Sequence, residues 1–505
     1  MSVSEGDLSK LLSSASLVFV GMLVSSSSKL VERVVIGRVL SPDGYGEFDV
    51  ALSVFVLGST LGAAGFSQGV PRYMARFDDT RDVRGAWLTG LTIAVAVSLL
   101  IAAALVVGAP LIVPRLFESA EASTLFLLFV VAIPAHVAFR IGVAAIRGQE
   151  NTLYKILAQN LGYPGIRLVL ITALLVLNVG LVATGLGYLA AVVVVTVFTY
   201  VLLNRLVSLR GEFRFHGREM VAFSAPLVIS TVMATLLTQT DTLMLGYFRP
   251  SREVGIYGAA YPLARAMTLV LGAFGYMYLP LASRLDADED ESVERVYEVT
   301  TKWVFLLVFP LFTTLVVFPE VIVTTVFGGD YAAAGTPLII LSVGFFTNAA
   351  VGRSRETLSA LGATQFVLYS NAVAFVVNFL LNIVLIPLYG FVGAAVASAG
   401  SAITLNAVVF AVLGSRFGIT PFNGRSTRAF VALPVVVVSL GFGVSRFAPS
   451  TPGVVVGFVF VSAVVTVAVA ALVGSLEPED LVVIEFLEDL VGIRFPLIRR
   501  YIPEP

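Results

Sequence analysis

The feature that most constrains this chain is a succession of apolar runs, each about as long as a membrane is thick, recurring from residue 13 to residue 475. A helix needs about 20 residues to cross the hydrocarbon core, and in lipid each backbone polar group must be bonded within the spanning segment. Fourteen such runs can be marked, near 13–37, 46–65, 87–113, 123–146, 154–178, 180–204, 220–247, 255–282, 301–327, 334–352, 364–388, 390–415, 429–447 and 453–475. Short breaks at Asn178–Gly180 and Pro387–Gly390 separate the fifth from the sixth and the eleventh from the twelfth. Composition points the same way. Of 505 residues, 57% are hydrophobic and 13% charged, against roughly a quarter charged in soluble domains. The expectation is an all-α polytopic membrane protein of about 14 transmembrane helices. Met1–Lys10 is polar and the first apolar run leads into further spans, so no cleavable signal peptide is expected. With no cysteine, disulfides, thiol catalysis and Cys-ligated metal are excluded. A net charge of −1 gives no sign of a nucleic-acid partner.

Loop charge sets the orientation. With the N-terminus inside, the inner loops hold eighteen Lys and Arg and the outer loops five. That excess predicts cytoplasmic N- and C-termini. The tail after Leu476 is too charged to span and is expected as a cytoplasmic amphipathic helix on the membrane surface.

The chain also repeats itself. A shift of 209 residues lays VERVVIGRVLSPDGYGEFDVALSV, from Val31, over TDTLMLGYFRPSREVGIYGAAYPL, from Thr240. Gly37 then falls on Gly246, Gly46 on Gly255, and Glu32 on Asp241. Later, AIRGQENTLYKILAQN resembles SALGATQFVLYSNAV, and GLVATGLGYLAA resembles YGFVGAAVASA. Six spans per half give two parallel six-helix repeats, hence two lobes around a central cavity. The expected boundaries are an N-terminal lobe at 1–208, a linker at 209–218, a C-terminal lobe at 219–415, two extra spans in 429–475 and the tail at 476–505.

These residues resemble a known family. TQTDTLMLGYF with EVGIYGAAYPLA, NFLLN with IPLYGFVGAAVAS, and GRVLSPDGYGEF after the first span are similar to the polysaccharide flippases of the multidrug/oligosaccharidyl-lipid/polysaccharide exporter superfamily. The resemblance covers about residues 10–415; two additional C-terminal spans also occur in the branch that handles lipid-linked peptidoglycan precursors. It implies translocation of a lipid-linked oligosaccharide to the outer leaflet by alternating access, in the cell membrane, with possible coupling to a proton or sodium gradient and no other cofactor.

Charged side chains within spans carry an insertion penalty of about 2.5–3.5 kcal/mol each and usually face a cavity or a partner. Here cations outnumber acids, which suits a phosphate- or pyrophosphate-bearing ligand, since Arg binds phosphate bidentately. Arg33, Arg140, Arg167, Arg265 and Lys29 are the candidate cavity cations, with structural ion pairing as the alternative. Glu32 and its repeat-mate Asp241 are candidates for gating through cations of the opposite lobe or for ion coupling, with capping of a local bend as a further reading of Asp241. Asn378 and Asn382 read as interhelical hydrogen-bonding residues. Nothing in the sequence reads as an enzyme. There is no GxxxxGK loop, and the two histidines, His136 and His216, lack metal-ligand spacing. A cation-coupled multidrug exporter of the same superfamily is the second reading. A membrane-embedded glycosyltransferase is a third, weakened by inter-span loops too short for a catalytic domain. Lipid and a lipid-linked oligosaccharide are the expected partners, and the chain is expected to be a monomer.

Overall fold

The computed structural model describes residues 5–272, 289–422 and 424–491, with Arg494 and Arg499. Among them there is no strand. Among the described residues twelve helical stretches are long and apolar enough to cross a membrane, and the chain is a multi-pass membrane protein. The expected first span lies in α1 (Glu5–Val39). The expected eleventh and twelfth spans form one stretch, Thr364–Phe417, with a single non-helical residue, Gly390 (φ 57°, ψ −134°), at the break read from the sequence. Part of the expected eighth span, residues 273–282, lies outside the described residues, as do the first residues of the acidic cluster at 286–291.

The chain divides into two compact units, Met1–Gly258 and Ala259–Pro505. The first contains α1, α2 (Pro42–Gly62), α3 (Phe66–Arg76), α4 (Thr80–Leu116), α5 (Ala120–Gly148), α6 (Thr152–Lys155), α7 (Tyr163–Val176), α8 (Val182–Leu206), α9 (Gly217–Phe248) and the start of α10 (Ser251–Arg265). Local signals set the ends. Ser41 accepts from the Gly44 N–H and Pro42 opens α2, where its missing N–H leaves no bond unmade. Asp79 caps α4 and Ser119 caps α5. The Glu47 carboxylate reaches that second cap, accepting from the Glu118 and Ser119 N–H groups at 3.1 and 2.7 Å. A negative charge is favoured at the positive end of a helix. Asn178 and Gly180, both at positive φ, make the turn between α7 and α8. Gly65, at φ 75°, turns α2 into α3 against the Ser224 carbonyl, where a Cβ would collide with backbone.

Within this unit α5 is the central helix, packed on α2, α3, α4 and α8, while α9 packs on α2, α3 and α4. Phe48, Phe55, Phe129, Ile133 and Tyr188 fill the interior. Three loops meet at one end: Phe77, Asp78, Gln149, Glu150, Val207 and Ser208 line one cavity, and Arg81 pairs with Glu212 at 3.1 Å. The loops after the second, fourth and sixth spans therefore share one side of the unit.

The second unit holds the rest of α10, α11 (Glu289–Val317), α12 (Pro319–Val326), α13 (Gly335–Ala350), α14 (Ser354–Ala360), α15 (Thr364–Val412), α16 (Ser426–Leu433), α17 (Ser439–Phe447), α18 (Pro452–Leu472) and α19 (Asp480–Val491). Trp303, Phe305 and Phe309 of α11 form the heart of its core. Beside them, fully buried Lys302 donates to Asp480 at 2.7 Å, Glu477 at 3.2 Å and the Ser475 carbonyl at 3.1 Å, and Trp303 donates to the other Asp480 oxygen at 2.7 Å. The tail that the sequence laid on the membrane surface thus docks, through α19, onto α11, with Val483 and Ile484 buried in the same core.

Candidate functional site

Five helices of the first unit bring a band of polar side chains into the spanning region. The register of α1 turns Glu32 inward, and its neighbour Arg33, 100° further round the helix, faces α2. On α7, a widened π turn over Ile156–Gly162 leads into Tyr163 and Pro164. Such turns shift the helical register, and here Tyr163 and Arg167 point inward, both buried. Arg167 Nε donates to Glu32 Oε2 at 2.6 Å, and Tyr188 Oη of α8 donates to Oε1 at 2.9 Å. The guanidinium is held between rings, 4.9 Å from the centroid of Tyr163 and 4.3 Å from that of Tyr188. Arg33 pairs with Asp49 of α2 and donates to Tyr45 Oη at 3.3 Å.

Arg140, on α5, is different. Its described polar contact is one long hydrogen bond, 3.4 Å, to the Ser59 carbonyl, and no carboxylate pairs with it among the described residues. Two buried polar atoms close to it lack hydrogen-bond partners, Ser59 Oγ and His136 Nδ1. His136 lies one turn before Arg140 and packs on Phe55 and Tyr163, at 4.9 and 5.6 Å between centroids. A half-buried guanidinium amid unpaired donors and acceptors is a place for a polar, anionic guest.

The structure thus separates the residues that the sequence grouped as cavity cations. Arg167 is neutralised by Glu32, and Arg33 by Asp49. Lys29 is exposed on α1. Arg265 is exposed and belongs to the second unit. Glu32 was expected to hold a cation of the opposite lobe; its cation is Arg167, of its own unit, because α1 packs directly on α7. Asp241 is buried and accepts from Tyr257 Oη at 2.9 Å. Asn382 donates to Asn378 at 3.1 Å, one turn apart on α15. Sequence reasoning missed Tyr188, Tyr163 and His136. A tyrosine among glycines and alanines, as in GLGYLAA, was the available signal for the first.

A family model described as polysaccharide biosynthesis protein matches residues 35–336, more than half of the chain. The chain belongs to that family. The probable low-salt glycan biosynthesis flippase Agl15 of Haloferax volcanii is 28% identical over 214 residues, which cover 42% of this chain and 44% of that protein. This family member therefore aligns with less than half of that relative's length. Among solved structures, a lipid II flippase in an inward closed conformation superposes with a TM-score of 0.70 at 14% identity, covering 94% of this chain and 99% of that one. An inward-facing MATE multidrug transporter superposes with a TM-score of 0.61 at 15% identity, over 78% of this chain and 94% of that one. Both show the fold that this member of the family shares.

Proposed function

We propose that this protein is a flippase that carries a lipid-linked oligosaccharide, joined through phosphate or pyrophosphate, from the cytoplasmic to the outer leaflet of the cell membrane. The observation that carries the reading is Arg140, a spanning-region cation with no acidic partner among the described residues and two unpaired polar atoms, Ser59 Oγ and His136 Nδ1, near it. Phosphate would supply the missing charge and accept from the guanidinium fork. Membership of the polysaccharide biosynthesis family supports the same substrate class. Lys29 is a further phosphate contact in this proposal, and Arg265 is a cation that the second unit would bring to the substrate. Arg33 and Arg167, already paired, hold the site's shape, and Glu32 and Asp241 serve gating. Transport proceeds by alternating access of two repeat-related lobes bounded at the 209–218 linker, in a monomer with cytoplasmic termini, drawing on a proton or sodium gradient. A multidrug exporter, the second reading, would bind cations and gain nothing from an uncompensated arginine.

The test is glycan export in cells that depend on this protein. Arg140→Ala should lower export roughly 10- to 100-fold, the equivalent of about 1.5–3 kcal/mol for a hydrogen bond to a charged group, at unchanged protein level. Arg140→Lys should restore part of it, because charge remains while the planar fork is lost. Full export by Arg140→Ala would refute the phosphate role.

A further inference from the structure

The site around Arg140 continues onto a helix whose pattern has no part in the reading above. On α9, Ser224, Thr231, Thr235, Thr238 and Thr242 stand seven, four, three and four residues apart. At 100° per residue they fall within an arc of about 60°. At 1.5 Å per residue they run for about 27 Å, close to the thickness of the hydrocarbon core. Ser224 is buried against α3, whereas Thr231, Thr235, Thr238 and Thr242 are half-buried.

The hydrogen bonding of this stripe decides what it can offer. Thr231 Oγ1 donates to the Leu227 carbonyl at 2.8 Å, Thr235 Oγ1 to the Thr231 carbonyl at 2.9 Å, and Thr238 Oγ1 to the Thr235 carbonyl at 2.9 Å. A hydroxyl has one proton and two lone pairs. With the protons directed into the helix, the lone pairs face outward; Thr238 Oγ1 already accepts from Gln239 Nε2 at 3.2 Å, and its second lone pair with those of Thr231 and Thr235 makes a row of acceptors. Hydroxyls bonded back to their own helix are also tolerated in lipid, so the pattern alone assigns nothing. Its position does. Thr235 Oγ1 lies 3.5 Å from Thr60 Oγ1, and Thr60 follows Ser59, whose carbonyl meets Arg140. The stripe therefore reaches, through Thr60, the chain neighbour of Ser59, whose carbonyl meets the uncompensated guanidinium. Between them lies Ser59, whose Oγ is fully buried without a partner.

We propose that Thr231, Thr235 and Thr238, with Thr60, form a track for the sugar hydroxyls of the translocated glycan, next to a phosphate held at Arg140. Sugars bring many O–H donors, which a row of acceptors receives without specifying one sugar. The inference rests on the flippase reading and goes beyond it, since it separates the sugar contacts from the phosphate contact.

Purified protein reconstituted into vesicles would be given two carriers, a polyprenyl pyrophosphate bearing one sugar and the same lipid bearing five or more. The triple variant Thr231→Val/Thr235→Val/Thr238→Val keeps side-chain shape and removes the acceptors. It should slow the long carrier at least tenfold and the one-sugar carrier, which reaches only the start of the track, much less, with Thr→Ser at the three positions retaining both. Single Thr235→Val and Thr60→Val should show the same direction at smaller size, which keeps the test readable if the triple variant folds poorly. Equal rates on both carriers, or equal losses on both, would overturn the track, the latter marking the stripe as helix packing. Wild-type protein that flips neither carrier would overturn the flippase reading and this inference together.

Discussion

Glu32 and Arg167 are both buried within the spanning region, and each satisfies the other at 2.6 Å. Such a pair contributes little net stability, yet removing one partner leaves a charge stranded in a low-dielectric interior and costs about 3–5 kcal/mol. Glu32→Gln and Arg167→Met should therefore each lower the melting temperature of detergent-purified protein by several degrees. The double variant should melt closer to wild type than either single one. Additive losses would show that the two do not depend on each other. The charges themselves were legible, because ionisable residues inside apolar runs stand out. Their pairing was not. Arg167 is 135 residues from Glu32, and only the packing of α1 on α7, helped by the π turn before Tyr163, brings them together. Arg140 could not be told from Arg167 by sequence for the same reason: both sit alone in apolar runs, and only the fold shows which has an acid beside it.

At the scale of elements, the breaks were the legible part. Asn178 with Gly180, and Gly390, turn the backbone where short polar or glycine-containing interruptions stood in the sequence. The tail was legible as a charged amphipathic helix, but its place was not, since amphipathicity suits a membrane surface and a protein core equally. Its apolar side found α11, and buried Lys302 found Asp480 and Glu477. Lys302→Met should leave Asp480 buried without its ammonium partner and release the segment from Ser475 onward. Limited proteolysis should then cut between Ser475 and Asp480 in the variant and spare the wild type. Equal protection in both would mean that the apolar contacts of Val483 and Ile484 hold the tail unaided.

At the scale of the whole molecule, the excess of Arg and Lys on alternate loops predicts sidedness, and the first unit supplies a matched pair of reporters. Arg81, in the first turn of α4, and Glu212, in the segment before α9, touch. Because the natural chain has no cysteine, Arg81→Cys and Glu212→Cys can each be read alone. Both should resist an impermeant thiol reagent in intact cells and react once the membrane is opened. Labelling of either from outside would invert the topology.

The central claim is that this chain moves a phosphate-linked glycan lipid across a bilayer with Arg140 as its phosphate ligand. The most direct measurement uses purified protein in vesicles loaded with a fluorescent polyprenyl-pyrophosphate oligosaccharide, read as the fraction that an impermeant quencher reaches over time. Wild-type protein should carry the lipid across within the assay. Arg140→Ala should be at least tenfold slower, and a cationic dye added in excess should leave the wild-type rate unchanged. Movement of the dye instead of the glycan lipid, or equal glycan-lipid rates for wild type and Arg140→Ala, would contradict the account.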